Sequence, residues 1–475
     1  MAKMELKDFI IYKFCIGKQM TKTVFILVES EEHNILKKEK KKKEIETEKK
    51  TSKKRRNHTI EWEKLDNTAN LFPAIATQNM TNVYRISVTL KEEIQGAVLQ
   101  LALDKVLERF DTFRVRMRKG IFWYYFETNT KPAPTVYREN DYPCRYIEPY
   151  ENNNYLFRVT YYKKRINLEV FHVLADGMGG MNFLREITYQ YLRLIHKEIS
   201  NDREEYFSDD TSLNTEDSYL KNFRKSHKKS YRTQKAIHLK GEKTSGGELS
   251  VIHGFMERNQ IKEVCKKYDA SVNEYLTAVF TYSIYMEYLH GQPAKRPIVI
   301  CIPVNLRPYF DSMTTRNFFA MVSASFLPEQ ENMTLDEVVR IVKESLRSQI
   351  NKEHLEEIFS YNVSNQKNIL LRSVPIFIKA IAMRLVYISS ARASTSTITN
   401  LGKIAIDEKY QKYIAHFTAM ISRSAGQIMK GAVCSYQDVL SFTFTSALKD
   451  LSVERCFFRT LAKDGIKVAV ETNLE

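Results

Sequence analysis

Arg165-Ile166-Asn167-Leu168-Glu169-Val170-Phe171-His172-Val173-Leu174-Ala175-Asp176-Gly177-Met178-Gly179-Gly180 holds a strand period, a bend and the approach to a helix. Ile166, Leu168 and Val170 alternate with other residues, the period of a strand with one apolar face, and His172 falls in phase with them. Beyond Gly179-Gly180, the residues Met181, Leu184, Ile187, Tyr191 and Ile195 recur at helical spacing, so the order is strand, turn, helix. With 10 His and 15 Gly in 475 residues, H-x-x-x-D-G arises by chance only about 0.02 times in such a chain. An imidazole titrating near neutrality at a strand end suits proton abstraction from an attacking hydroxyl, and glycines just after it leave room for a substrate. Asp176 invites comparison with the carboxylate of a hydrolase triad. A residue four positions on, past a turn, more naturally aims elsewhere, and a buried carboxylate needs a cation or hydrogen bonds to stay ionised. The competing structural role is a core histidine followed by a turn-capping aspartate; the Asp-Gly and the in-phase strand favour chemistry.

Outward from this stretch the pattern continues in both directions. Upstream, a helix is expected over Lys91–Arg109, with Ile94, Val98, Leu101, Val106 and Leu107 near one face, then strands at Thr112–Met117, Ile121–Glu127 and Leu156–Tyr162. Downstream, residues 199–246 turn polar and end in Ser245-Gly246-Gly247, which suits a linker. Then come a strand at Ile252–Phe255, helices at Asn259–Tyr268 and Asn273–Tyr288, and strands at Pro297–Val304, Leu401–Ile406, Leu440–Thr445 and Ile466–Glu471. Alternation of strands and helices on both sides of the linker gives an α/β class, and 475 residues suit two lobes. The expected divisions are an extension over 1–57, a first lobe over 58–200, a linker over 201–247 and a second lobe over 248–475.

Charge and cysteines narrow the function classes. The formal net charge is +16, of which +6 comes from Glu31–Arg56 alone, a tract with twelve Lys/Arg and six Glu. Within it, Lys37–Arg56 has Ile45 as its one strongly apolar residue and cannot bury a core; it reads as a solvated tail in preference to a nucleic-acid or anionic-membrane attachment. Thr23–Val28 before it has strand character, and the split apolar stretch Phe9–Ile16 has no secretory cleavage site after it. No uncharged apolar run approaches the ~18 residues of a membrane span. Cys15, Cys144, Cys265, Cys301, Cys434 and Cys456 show no metal-ligand or redox spacing. Free thiols in a reducing cytoplasm, no bound metal and no nucleic-acid partner are therefore expected.

With His172, Asp176 and Gly177 in place, the chain resembles the CoA-dependent acyltransferase superfamily, which includes chloramphenicol acetyltransferase, plant BAHD enzymes, condensation domains and, nearest in pattern, the alcohol acetyltransferases. The resemblance runs from about His58 to the C-terminus. It implies two similar lobes with a tunnel between them, His172 inside it, and donor thioester and acceptor entering from opposite faces. It makes Asp176 structural, paired with an arginine of the second lobe, and Arg307 in Pro303-Val304-Asn305-Leu306-Arg307 occupies the matching segment. Thr315-Arg316-Asn317-Phe318-Phe319 and Ile398-Thr399-Asn400-Leu401-Gly402 also resemble family segments, the latter a strand lining the tunnel. Thr399 and Asn400 there have two readings, as oxyanion donors or as a strand-end turn. Phe171 stands where condensation domains carry a second histidine, and no D-F-G-W-G of the plant branch occurs.

The expected function is transfer of an acyl group, most simply acetyl, from acyl-CoA to an alcohol or amine, with His172 as general base, no covalent intermediate and no permanently bound cofactor. Surplus lysine and arginine help hold the CoA phosphates. Two alternatives stand beside it: a donor delivered on a carrier protein, and a catalytically silent binding protein of the same fold. Val374–Ser389, a helix begun by Pro375 and apolar on more than one side, is expected to pack over the tunnel, with peripheral membrane contact as the alternative.

Overall fold

The computed structural model describes residues 61–66, 68–199, 214–225, 234–244, 248–367 and 373–474. The expectations for the extension over 1–57, including Thr23–Val28 and Lys37–Arg56, fall outside them. In chain order the first half holds β1 (Trp62–Lys64), β2 (Val83–Leu90), β3 (Val115–Lys119), β4 (Tyr124–Thr128), β5 (Tyr137–Arg138), β6 (Phe157–Tyr162) and β7 (Arg165–Phe171). The second half holds β8 (Ser250–Glu257), β9 (Ile298–Asn305), β10 (Phe319–Phe326), β11 (Ser396–Lys403), β12 (Ile414–Ile421), β13 (Met429–Tyr436), β14 (Val439–Ser446) and β15 (Val468–Thr472).

These strands form a five-stranded sheet in the order β12-β2-β7-β6-β5, a seven-stranded sheet in the order β10-β9-β11-β13-β14-β8-β15, and a small sheet β1-β4-β3. Helices Gly96–Leu107 and Gly177–Ile195 share a core with the first sheet, where Phe113 and Phe183 stack at 4.1 Å. Val272–Tyr288 and Leu335–Arg347 share a second core with the seven-stranded sheet. Each opens with a capping box, Ser271 with Glu274 and Thr334 with Glu337, so the N-terminal amides are satisfied locally. The α/β class and the two lobes are thus present. No helix among the described residues is long and apolar enough to cross a membrane.

Several local expectations shift. The first long helix begins at Gly96, not Lys91, and its buried face is Leu99, Ala102, Leu103, Val106 and Leu107, while Leu101 is exposed. Ile121, Phe122 and Trp123 are an exposed turn before β4 and not the start of a strand. β11 spans Ser396–Lys403 where Leu401–Ile406 was expected; its register breaks after Asn400, and Gly402 takes a positive φ of 71°. The polar segment between the halves is not simply solvated: Tyr219 is buried, and its hydroxyl donates to the Phe319 carbonyl at 2.7 Å and accepts from the Phe319 amide at 2.9 Å. Nor do the sheets divide along the chain at residue 247, because β12 crosses back to pair antiparallel with β2, Ile421 opposite Tyr84.

Candidate active site

β7 ends where His172 donates its backbone N–H to the Asn82 carbonyl at 2.9 Å, and the chain then turns through Leu174, whose amide bonds the Phe171 carbonyl at 2.9 Å. Asp176 stops the turn and starts the helix. Its Oδ1 accepts from the amides of Met178 and Gly179, each at 3.1 Å, the N-cap arrangement that satisfies donors a helix leaves open. A side chain at Gly179 would collide with the Thr315 carbonyl of the second half, and one at Gly177 with the Leu401 side chain. The glycines expected to leave room for substrate therefore also admit the second lobe.

That lobe reaches back with Arg307. Its Nη1 lies 2.9 Å from Asp176 Oδ2 and its Nη2 3.0 Å from Oδ1, a bidentate pair across the cleft. The Phe318 amide donates to Oδ2 at 3.1 Å, and the three remaining guanidinium N–H groups go to the carbonyls of Thr314 and Arg316, each at 2.8 Å, and to Asn305 Oδ1 at 3.1 Å. Both charges are thus fully hydrogen-bonded, as a buried pair requires. None of these partners is the imidazole, so the triad reading of Asp176 does not hold.

His172 is instead held by Asn317. The imidazole Nδ1 lies 3.0 Å from Asn317 Oδ1, while Asn317 Nδ2 donates to Asp66 Oδ2 at 3.0 Å and to the His172 carbonyl at 3.3 Å. Because Nδ2 faces two acceptors, Oδ1 must be the atom turned to the ring, and an oxygen there can only accept. Nδ1 therefore carries the proton and Nε2 is left as the basic nitrogen. Burial pushes the Asp66 carboxyl up to about 7 against the hydrogen bonds from Asn317 and Ala69. Phe72 stacks on the ring at 4.7 Å and Tyr84 meets it edge-on at 5.1 Å. Burial lowers the His172 pKa, more than Asp176 and Asn317 raise it, so the ring is neutral at neutral pH.

His172, Asp176, Gly177, Arg307, Thr399 and Asn400 all line one cavity of about 1100 Å³ between the lobes. The Thr399 hydroxyl has no intramolecular partner among the described residues and is open to the role of donor. Asn400 Oδ1 accepts from the Gly402 amide at 2.7 Å, which gives it the strand-end turn as well. In the sequence Asn317 stands out only as part of a family-like segment, and Asp66 carries no signal; they bond each other across 251 positions. Helix Ile376–Ala391 does cover the cavity, through Lys379, Met383 and Tyr387. Its second apolar side does not pack: Phe377, Ile381, Leu385 and Ile388 face outward, with the Ile121–Trp123 turn beside the helix start, where the Ile376 amide bonds the Ile121 carbonyl at 2.8 Å.

No family model matches the sequence, and no curated protein sequence matches it. Solved structures do match in shape. The F. sporotrichioides protein TRI101, complexed with coenzyme A and T-2, aligns with a TM-score of 0.58 at 13% identity, over 86% of this chain and 99% of that one. Polyketide synthase associated protein 5 from Mycobacterium tuberculosis aligns at 0.56 and 12%, over 84% and 96%. The condensation domain of the Monacolin K polyketide synthase MokA aligns at 0.53 and 11%, over 86% and 97%. At these identities the likeness is one of fold, and the chain has the two-lobed fold shared by CoA-dependent acyltransferases and condensation domains.

Proposed function

We propose that the protein is an acyltransferase that moves an acyl group, most simply acetyl, from acyl-CoA to an alcohol hydroxyl. The observation that carries this reading is the His172–Asn317 bond, which leaves Nε2 as the basic nitrogen of a neutral ring lining the cavity between the lobes. His172 Nε2 takes the proton of the acceptor hydroxyl as its oxygen attacks the thioester carbonyl carbon. The tetrahedral oxyanion accepts a hydrogen bond from Thr399. Collapse breaks the carbon–sulfur bond, and the thiolate leaves with the proton held on His172. Asp176 and Arg307 fix the turn against the second lobe and do not exchange protons. No covalent enzyme intermediate is needed.

Solved neighbours of this fold include one complexed with coenzyme A and one described as a trichothecene 15-O-acetyltransferase, which supports acyl-CoA as co-substrate and a hydroxyl as acceptor. The outward apolar face of Ile376–Ala391 beside the cavity supports peripheral membrane contact. Cys144, Cys265, Cys301, Cys434 and Cys456 are unbridged, which supports a reducing, cytoplasmic setting.

The test is thiol release from a panel of acyl-CoAs with mixed alcohols and amines. Wild type releases thiol only when an acceptor is present, and His172→Ala loses about 100- to 10,000-fold in kcat. Equal rates in the two proteins overturn the mechanism. No release with CoA, but release from a carrier-bound thioester, transfers the reading to a condensation-like enzyme. No turnover from either donor leaves a binding protein.

A further inference from the structure

One cavity-lining group has no part in the chemistry above. Lys430 lies on β13, where Met429 and Val433 enter the core of the second lobe and Ala432, Cys434 and Tyr436 face the first. Lys430 is in phase with the latter set and lines the cavity. Register across the sheet pairs Ser323 with Cys301, Cys301 with Thr397, and Lys430 with Thr445; Ile398 opposite Gly431 sets Thr397 beside Lys430. The row is polar within a mostly apolar cavity wall. Thr397 Oγ1 donates to Gln427 Oε1 at 2.8 Å, and Gln427 Nε2 donates to Ser394 Oγ at 2.7 Å, so its neutral groups satisfy one another.

Lys430 is left over. The residue is 9% exposed, and its side chain has no hydrogen bond or ion pair among the described residues. The acids lining the cavity are engaged elsewhere: Asp176 holds Arg307, and Asp217 accepts from the Leu220 amide at 3.1 Å. An ammonium on a residue nine-tenths buried, open only to the cavity and without a counter-charge, is costly, and a cation of this kind is kept where a ligand completes it.

We propose that Lys430 anchors a carboxylate carried by one of the substrates, either on the acceptor or at the far end of the acyl group. A carboxylate fits better than a phosphate, because the row offers one cation among neutral hydroxyl and amide groups, enough for a single negative charge. Burial pushes the Lys430 ammonium down to about 8, with Cys301 and Cys144 opposing, and an anion beside it restores the charged form. The Lys430 charge also lowers the His172 pKa, which sets the anchor within electrostatic reach of the base. The identity of the two substrates rests on the acyl-transfer reading; the presence of the anion site does not.

Two measurements separate them. Calorimetric binding compares short hydroxy acids with their methyl esters, and acyl-CoAs ending in a carboxylate with neutral ones of equal length. Thiol release is followed for the same pairs. Wild type is expected to favour the acid by about 30-fold in one of the two pairs, which names the substrate that carries it. Lys430→Met loses that ratio and Lys430→Arg keeps most of it, with circular dichroism showing that both variants are folded. Equal binding of acid and ester in both pairs by wild type, or an undiminished ratio in Lys430→Met, overturns the proposal. An acid preference in binding without thiol release upholds the anion site and overturns the acyl-transfer reading instead.

Discussion

Three residues before His172 and four residues after it, the chain buries a carboxylate against arginine. Glu169 lies directly opposite Arg85 of β2 and Arg158 of β6 in the strand register, bonded to Arg85 Nε at 2.7 Å and Arg158 Nε at 2.5 Å. Asp176, the N-cap of the helix after β7, reaches outside its own lobe, to Arg307 of the other. The chemistry is the same and the partners differ in origin. When an acid and its bases come from adjacent strands, their pairing holds the sheet together. When they come from opposite walls of a cavity, their pairing sets the distance between the walls, and so the geometry in which His172 works.

The contrast is sharpest at Glu169. Glu169→Gln leaves the Arg158 charge buried without a counter-charge and Arg85 with Glu139 alone, and a loss of about 3–5 kcal/mol is expected in urea unfolding, with the turnover of each folded molecule kept. The same cluster predicts acid sensitivity. Burial alone would raise the Glu169 pKa, but Arg85 and Arg158 overcome it and the pKa is lowered. Its stabilisation is therefore complete above the ordinary glutamate value of 4.5 and is lost as pH falls through the lower folded value. Unfolding followed below that pH is expected to show the loss in wild type and less of it in Glu169→Gln.

Asp176→Asn keeps an N-cap and removes the charge facing Arg307. A smaller stability loss of about 1–3 kcal/mol is expected, since the guanidinium retains its carbonyl acceptors, together with a fall of about tenfold or more in kcat per folded molecule. If Glu169→Gln and Asp176→Asn change stability and turnover in the same proportion, the distinction between sheet pair and wall pair fails.

The smallest effects concern the tilt and charge of the ring. Asn317→Ala removes the acceptor from Nδ1–H, and about a tenfold fall in kcat is expected. The Asn317 bond favours the protonated ring, so its loss also moves the acid limb of kcat/KM to lower pH. In wild type that limb lies below 6.5, because burial lowers the His172 pKa and the base stays competent into mild acid. A limb at or above 6.5 argues against His172 as the base.

What the sequence determined by itself was local. Alternation ending at His172, helical spacing from Met181 and an aspartate at the junction define a strand, a turn and a capped helix through interactions a few residues long. The resemblance supplied Arg307, and the Asp176–Arg307 pair is present. Contacts between distant segments decided the rest. The tautomer of His172 depends on Asn317, 145 positions away, and Asn317 in turn on Asp66, neither of which has a periodicity to betray it. The pattern placed Leu101 on the core face and the helix of Val374–Ser389 in the packing, yet Leu101 and, in that helix, Phe377 are exposed, because spacing shows that a stripe is apolar without showing what covers it. β12 joins the first sheet because pairing follows free strand edges in space, not order along the chain. Lys430 reads as one lysine among many until the register of β11 and β13 sets it in the cavity wall beyond reach of any carboxylate among the described residues; burial and partnership are properties of the assembled chain.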